Sequence, residues 1–381
     1  MKKSLILFCL CVLLGCGQPL LPRAYAAPVT VTAQSAALME KETGTLIYAE
    51  NEHQQLEPAS VTKVMTLLLT MEAIDDGRLH YEDVLSASEH AASMGGSQVY
   101  IKAGEQFTVE DLLKAVCLVS GNDASVMLAE GIAGSEESFV ERMNRRAAEL
   151  GMEDTHFCNC TGLPAAGHVT SAYDIALMSR ALILNHPDIR RFTTIWMDSL
   201  RGGKFQLANT NKLIRYYDGA TGLKTGSTES AGCCLSGTAE RDGMELIAAV
   251  MHAPTSADRF ETAKNLLSYG FANYTLLDVY PGEALPAVPV VMGKKAAVQP
   301  VLPPQHKLLL EKTALGDVEK RLDLPESIAA PVSAGQEMGS LTVSAGGKEV
   351  AVIPLMAAES VERLTYWDIV QKVLRQSLFV V

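Results

Sequence analysis

Three stretches of this chain carry side chains that could do chemistry together: Ser60-Val61-Thr62-Lys63, Ser120-Gly121-Asn122 and Lys224-Thr225-Gly226. A serine hydroxyl attacks an acyl carbon only when a base accepts its proton. Lys63, three residues beyond Ser60 on a helix, lies on the same face and can be that base. An ammonium cannot accept a proton. The site must therefore lower the Lys63 pKa through burial, the positive helix N-terminus and a second lysine, for which Lys224 is the candidate. Ser120 can relay a proton to a leaving amine, and the Asn122 amide can orient Lys63 and a substrate backbone. On a strand beside the cleft, Lys224 gives positive charge and the Thr225 hydroxyl can bond a terminal carboxylate, while Gly226 lets a substrate strand approach closely. Backbone N–H groups of Ser60 and Ser227 are the candidates for an oxyanion hole. Together these parts form a kit for acyl transfer through a serine ester.

Singly, the stretches are weak signals. A Ser-x-x-Lys arises about once by chance in a chain of this length. Ser60 alone reads as a helix N-cap, and Ser120-Gly121-Asn122 alone reads as a turn between helices. Their order, wide spacing and surroundings carry the reading. The segment from Val61 to Ile74 is so uniformly apolar that it predicts a buried helix, introduced by Pro58-Ala59-Ser60. Two short strands are expected between Ser35 and Tyr48 around a turn at 40–44. Helices are expected over 110–130, broken at Ser120-Gly121-Asn122, and over 135–150 and 172–184, with Ser135 as an N-cap. Strands over 233–239 and 244–251 are joined by Asp242-Gly243, a hairpin signal. A helix over 258–269 follows.

Beyond residue 277 the texture changes. Proline becomes frequent, helical periodicity disappears and short alternating runs suggest a small β-sandwich over 278–357. From Glu359 to Val381, Val361, Leu364, Trp367, Val370, Leu374, Leu378 and Val381 form one apolar stripe of an amphipathic helix. Arg363, Lys372 and Arg375 balance Glu359, Glu362 and Asp368, so charge gives no pull towards anionic lipid. Such a helix either docks on its own domain or lies flat on a membrane.

Of the 381 residues, 48% are hydrophobic and 20% charged, which suits a globular protein with room for two domains. Residues 1–26 read as an export signal: Lys2 and Lys3, an apolar run from Leu5 to Leu14, and Ala24-Tyr25-Ala26 as a cleavage site. Leu13-Leu14-Gly15-Cys16 offers a competing lipoprotein box. Loss of the leader removes Lys2, Lys3 and Arg23 and no acid, leaving 29 basic against 44 acidic residues, a balance of −15. So acidic a surface repels phosphate backbones and argues against nucleic acid as a partner. Five cysteines remain, an odd number that forbids a complete disulfide framework within one chain. Cys158-x-Cys160 lacks the spacer of structural zinc sites. No metal or other cofactor is expected, and the cysteines read mostly as small core residues, with a 158–160 or cross-strand disulfide left open.

The motifs resemble those of the low-molecular-mass penicillin-binding proteins that act as serine-type D-alanyl-D-alanine carboxypeptidases. Glu57-Pro58-Ala59, Leu118 to Ala124, Thr161-Gly162-Leu163, Thr170 to Asp174 and Asp218 to Thr228 with Ala231-Gly232 share in the likeness, which spans 36 to about 271. The resemblance implies an α+β fold, shared with serine β-lactamases, over 27–277: a five-stranded antiparallel sheet flanked by helices, with a helical lobe across the cleft. It extends more loosely to the β-rich tail and terminal helix, which would then be a membrane-surface anchor over 358–381. It implies removal of the last D-alanine from peptidoglycan pentapeptide stems through an acyl-enzyme on Ser60, with Lys63 as general base, Ser120 and Asn122 completing the site, and β-lactams as covalent inhibitors. Lys224, Thr225 and, by spacing, Arg259 would face the substrate carboxylate. The protein would work outside the cell, at the outer face of the cytoplasmic membrane or secreted into the cell-wall space. Cys233 departs from the family, which commonly has an aromatic residue there. Three other readings stay open: a D,D-endopeptidase using the same residues, a β-lactamase, whose usual Glu-x-x-Leu-Asn stretch is absent from the sequence, and a non-catalytic wall-binding scaffold.

Overall fold

In the computed structural model, residues 29–280, 284–302 and 307–378 are described. The expected export signal, the box at Leu13 to Cys16 and the end of the terminal stripe at Val381 lie outside them. Five strands make one antiparallel sheet: β1 (Ser35–Glu40), β2 (Leu46–Glu50), β3 (Ala220–Thr228), β4 (Gly232–Arg241) and β5 (Met244–Ala253), in the order β2-β1-β5-β4-β3. Alternation along the strands sorts the side chains between two cores. Ala37 and Met39 of β1 with Ile247, Ala249 and Met251 of β5 face the helical lobe. Ala36, Leu38, Leu246, Ala248 and Val250 face the opposite way, against the helix Ser256–Asn273. Asp242 and Gly243 turn the β4–β5 hairpin with φ of +50° and +74°, the two left-handed residues that the tightest hairpins need.

The lobe is built from α1 (Lys63–Asp75), α2 (Val109–Val119), α3 (Asn122–Ala133), α4 (Glu136–Glu149) and α5 (Ala172–Asn185), and α6 is the helix Ser256–Asn273 on the far face. Thr108, Ser135, Ser171 and Thr255 cap α2, α4, α5 and α6 through their side-chain oxygens. Helix α1 has no such cap. It continues a 3₁₀ turn over Ala59–Thr62, and nearly every residue of it is buried, Lys63 included. A helix apolar on all sides belongs inside the domain, as its sequence predicts.

One charged cluster is also buried. The Glu245 carboxylate, on β5, is fully enclosed and meets Lys41 at 3.3 Å, Arg190, and the Thr221 hydroxyl at 2.7 Å. It links the β1–β2 turn to the start of β3.

After α6 the chain continues into the β-rich residues without a linker. Strand β6 (Tyr274–Asp278) spans the boundary expected at 277–278 and pairs with β10 (Lys307–Glu311). Strands β7 (Val288–Val291), β8 (Ala297–Val298) and β12 (Ile328–Ala329) form a second sheet, with β7 and β12 parallel. Strands β9 (Pro300–Val301), β11 (Glu319–Asp323), β13 (Glu337–Ala345) and β14 (Lys348–Ala357) form a third, in the order β9-β14-β13-β11.

The terminal helix α7 spans Tyr366–Leu378 and is shorter than the apolar stripe suggested. Val361 is 1% exposed in the β-domain core and exchanges backbone hydrogen bonds with Val332 at 2.8 and 3.0 Å. Leu364 donates its N–H to Met292 at 2.8 Å. Both residues fit the helical spacing by coincidence, and Thr365 with Asp368 caps the true helix start.

Truncation of Glu245 to alanine leaves Arg190 and Lys41 partly compensated by Glu240 and Glu42. We expect Glu245→Ala to cost about 3 kcal/mol of folding stability, measured from its urea midpoint. An unchanged midpoint would contradict the bracing role of this cluster.

Candidate active site

Ser60 is presented by the 3₁₀ turn at the head of α1. The turn begins at Ala59, whose φ of +48° is unusual for a residue with a Cβ. The turn is crowded from two sides. A Cβ on Gly162 would lie 1.9 Å from the Ala59 carbonyl oxygen, and one on Gly226 would lie 2.8 Å from the Ser60 nitrogen and 2.9 Å from that of Val61. Gly226 is thus required by the approach of β3 to the backbone of Ser60 itself. The space expected for a substrate strand is here filled by protein backbone.

Lys63 Nζ lies 2.9 Å from Ser60 Oγ, 2.7 Å from Asn122 Oδ1 and 2.7 Å from the Thr161 carbonyl. These three neighbours match a neutral amine well. Asn122 Oδ1 and the Thr161 carbonyl can only accept, so they take its two hydrogens, and the lone pair is left facing the Ser60 hydroxyl. Burial pushes the Lys63 pKa well below the ordinary lysine range, with the charge of Lys224 adding to the effect. Asn122 is itself held: its Nδ2 donates to Gly95 at 2.7 Å and its backbone N–H to Ser97 at 2.7 Å.

Ser120 closes α2 in the left-handed conformation, φ +63°, and is buried. Its Oγ has no hydrogen-bond partner among the described residues, so this hydroxyl remains free to donate or accept. Lys224 is buried on β3, donates to the Thr225 carbonyl at 2.8 Å, and has a pKa lowered to about 7, chiefly by burial. Thr225 Oγ1 is 2.8 Å from Thr210 Oγ1. Ser227 is exposed on the same edge strand, opposite Cys233, with only a 3.9 Å Oγ–Sγ contact.

Arg259 sits differently from the other candidates. It is buried at the base of β3, where Nη1 donates to the carbonyls of Gly226 and Cys234 at 3.0 and 3.2 Å, and Nη2 to Ser256 Oγ at 3.1 Å. In this arrangement it braces the substrate-binding strand from below.

Three contributors escaped the sequence reading. The Thr161 carbonyl is main chain and leaves no mark on residue type. Thr210 reaches Thr225 from a separate loop. Asp123 accepts from the N–H groups of Val99 and Ile101 at 2.9 and 3.1 Å, tethering the loop that Asn122 also grips. Its place beside Asn122 was the available signal. All five described cysteines are free thiols, with Cys117, Cys160 and Cys234 buried. Among the described residues no group of three His, Cys, Asp or Glu is placed to hold a metal ion.

Comparison with known proteins finds relatives over most of the chain. Residues 22–255 match the model of a family described as D-alanyl-D-alanine carboxypeptidase, and residues 279–363 match that of the penicillin-binding protein 5 C-terminal domain. The chain is 41% identical to D-alanyl-D-alanine carboxypeptidase DacF of Bacillus subtilis over 336 residues, 87% of this chain and 86% of that protein. It superposes on penicillin-binding protein 5 of Haemophilus influenzae with a TM-score of 0.80 at 30% identity, covering 89% of this chain and all (100%) of that one. Penicillin-binding protein D2 of Listeria monocytogenes in its ampicillin-bound form matches at TM-score 0.59 and 32% identity, over 64% of this chain and 100% of that one.

The two lowered lysines set the pH dependence. Lys63 must be neutral to take a proton, so single-turnover acylation by a donor without a carboxylate should rise with pH along a limb well below 10.5. Lys224 must be charged to draw an anion, so donors with a carboxylate should bind more weakly as pH rises through about 7. Acylation that rises only near the ordinary lysine pKa would contradict the site chemistry.

Proposed function

The chain belongs to the serine-type D-alanyl-D-alanine carboxypeptidases, the low-molecular-mass penicillin-binding proteins, and we propose that Ser60 and Lys63 carry its reaction on peptidoglycan pentapeptide stems. The observation that carries this reading is the Lys63 amine, 2.9 Å from the Ser60 hydroxyl, with its other two neighbours able only to accept. Lys63 Nζ takes the hydroxyl proton as Oγ bonds to the carbonyl carbon of the penultimate D-alanine. The N–H groups of Ser60 and Ser227 hold the resulting oxyanion. As the intermediate collapses, the C–N bond to the terminal D-alanine breaks. Its amine receives the proton from Lys63, relayed through the unpartnered Ser120 hydroxyl. Water, losing a proton to Lys63, then attacks the Ser60 ester carbon; as the C–Oγ bond breaks, Lys63 returns that proton to Ser60 Oγ, and the shortened stem is released. Lys224 and the Thr225 hydroxyl meet the departing carboxylate, and Arg259 supports them through Gly226. Penicillins acylate Ser60 by the same first step.

Surroundings outside the cell fit the leader-like residues 1–26. On α7, Tyr366 and Trp367 are 73% and 70% exposed, and Val373 and Leu374 are also open to solvent. Such an outward apolar stripe suits a helix lying flat on the outer face of the cytoplasmic membrane. Among the described residues no helix is long and apolar enough to cross a membrane.

Incubation with a pentapeptide ending in D-alanyl-D-alanine should release free D-alanine, and intact mass should show one penicillin adduct on Ser60. Lys63→Ala should slow acylation by at least about 10²-fold while the protein stays folded. Normal acylation in that variant would overturn the role given to Lys63. Deleting residues 366–381 should abolish sedimentation with lipid vesicles and leave D-alanine release intact. Equal sedimentation of both forms would overturn the anchor.

A further inference from the structure

The loop that supplies the Thr161 carbonyl is fastened to α1 and its leading turn at further points. Thr66 Oγ1 donates to the Cys160 carbonyl at 2.7 Å, and His168 Nε2 lies 2.8 Å from Thr62 Oγ1. His168 is 2% exposed, packed edge-on to Phe157 at a centroid distance of 5.8 Å. Its ring nitrogens can be told apart by their partners. Nδ1 is 3.0 Å from the Cys158 backbone nitrogen, which can only donate, so Nδ1 accepts. Burial, with the charge of His156 adding and Glu57 opposing, pushes the imidazole down to about 4. In the neutral ring the single hydrogen therefore sits on Nε2 and is donated to Thr62 Oγ1. The Thr62 hydroxyl in turn donates to the Ala59 carbonyl at 2.8 Å. A directed chain thus runs from the Cys158 N–H through His168 and Thr62 to the carbonyl immediately before the nucleophile.

That carbonyl belongs to the residue with φ of +48°, a conformation that persists only where its surroundings impose it. It is also the atom against which Gly162 is pressed, with a Cβ clash at 1.9 Å. From these contacts we propose that His168 is a positioning residue for the nucleophile, holding the Thr62 hydroxyl on the Ala59 carbonyl and so fixing the turn that presents Ser60 to Lys63. The inference rests on the acyl-enzyme reading given above and adds a residue that touches neither substrate nor the reacting atoms. A shift of the turn would move Ser60 Oγ off the Lys63 lone pair, and small misplacements of reacting groups are costly in rate.

Two amides separate the bonds of the ring. Asparagine places an acceptor where Nδ1 is and cannot reach Thr62; glutamine places a donor where Nε2 is and gives up the Cys158 contact. With a fluorescent penicillin as probe, the acylation step and the preceding non-covalent binding are measured separately, beside thermal midpoints. We expect His168→Asn to slow acylation by about tenfold or more with non-covalent binding little changed, and His168→Gln to remain within about threefold of the unaltered protein. Thr62→Val, which removes the relay hydroxyl, should fall with His168→Asn and serves in its place should that variant not fold. His168→Asn or Thr62→Val acylating as fast as the unaltered protein would overturn the inference. So would asparagine and glutamine variants slowed equally, in step with lost thermal stability. An unaltered protein that forms no adduct would overturn the acyl-enzyme reading beneath it, a result distinguishable from the others.

Discussion

An amine buried without a counter-ion is the constraint on which the rest of the molecule turns. Lys63 has no exposed surface, and each of its three hydrogen-bond partners is a neutral oxygen. In water such a group is a cation. Here the charged form would lose its hydration and gain no hydrogen-bonded carboxylate, and it would face the charge of Lys224, with Asp123 opposing only weakly. Burial makes the protonated state of Lys63 expensive, which is what the proposed base requires. That choice costs stability: between the lowered pKa values and 10.5 the unfolded chain binds more protons than the folded one, so folding strengthens as pH rises through that interval.

The surrounding architecture supplies dryness and exact approach. Helix α1 is apolar on all sides because the lobe must wrap Lys63 completely. Strand β3 lies at the sheet edge, where its free side can pair with an extended peptide. Its Gly226 brings it against the Ser60 backbone, so the proposed nucleophile and the edge strand share one close contact. From below, Arg259 fixes the Gly226 carbonyl, and from the lobe side Asn122 and Asp123 grip the loop over 95–101. Asn122 and the edge strand are thus each held by neighbours that are themselves buried or hydrogen-bonded.

Much of this was legible in the sequence, because the relevant signals are local. The apolar run after Ser60 could only be a buried helix, and Asp242-Gly243 could only be a tight hairpin. The glycine in Ser120-Gly121-Asn122 marked the break between α2 and α3. What was not legible depends on long-range contact. A main-chain carbonyl such as that of Thr161 is donated by geometry, whatever its side chain, and Thr210 meets Thr225 only once two loops have packed. Gly226 was assigned to its strand, but the atoms that exclude a Cβ there belong to Pro58, Ser60 and Val61. Val361 and Leu364 show the converse failure: a spacing of three residues satisfies a helix, while Val361 belongs to the β-domain core and Leu364 is tied to Met292 through its backbone.

The central claim is that Lys63 is an uncharged amine in the resting protein. A direct titration of its side-chain ¹³Cε resonance, assigned by its loss in Lys63→Ala, tests this without reference to turnover. The resonance should titrate well below 10.5, the amine staying neutral at pH values where a solvated lysine is charged. A lysine that stays charged up to about pH 10, as in a solvated peptide, would contradict the account.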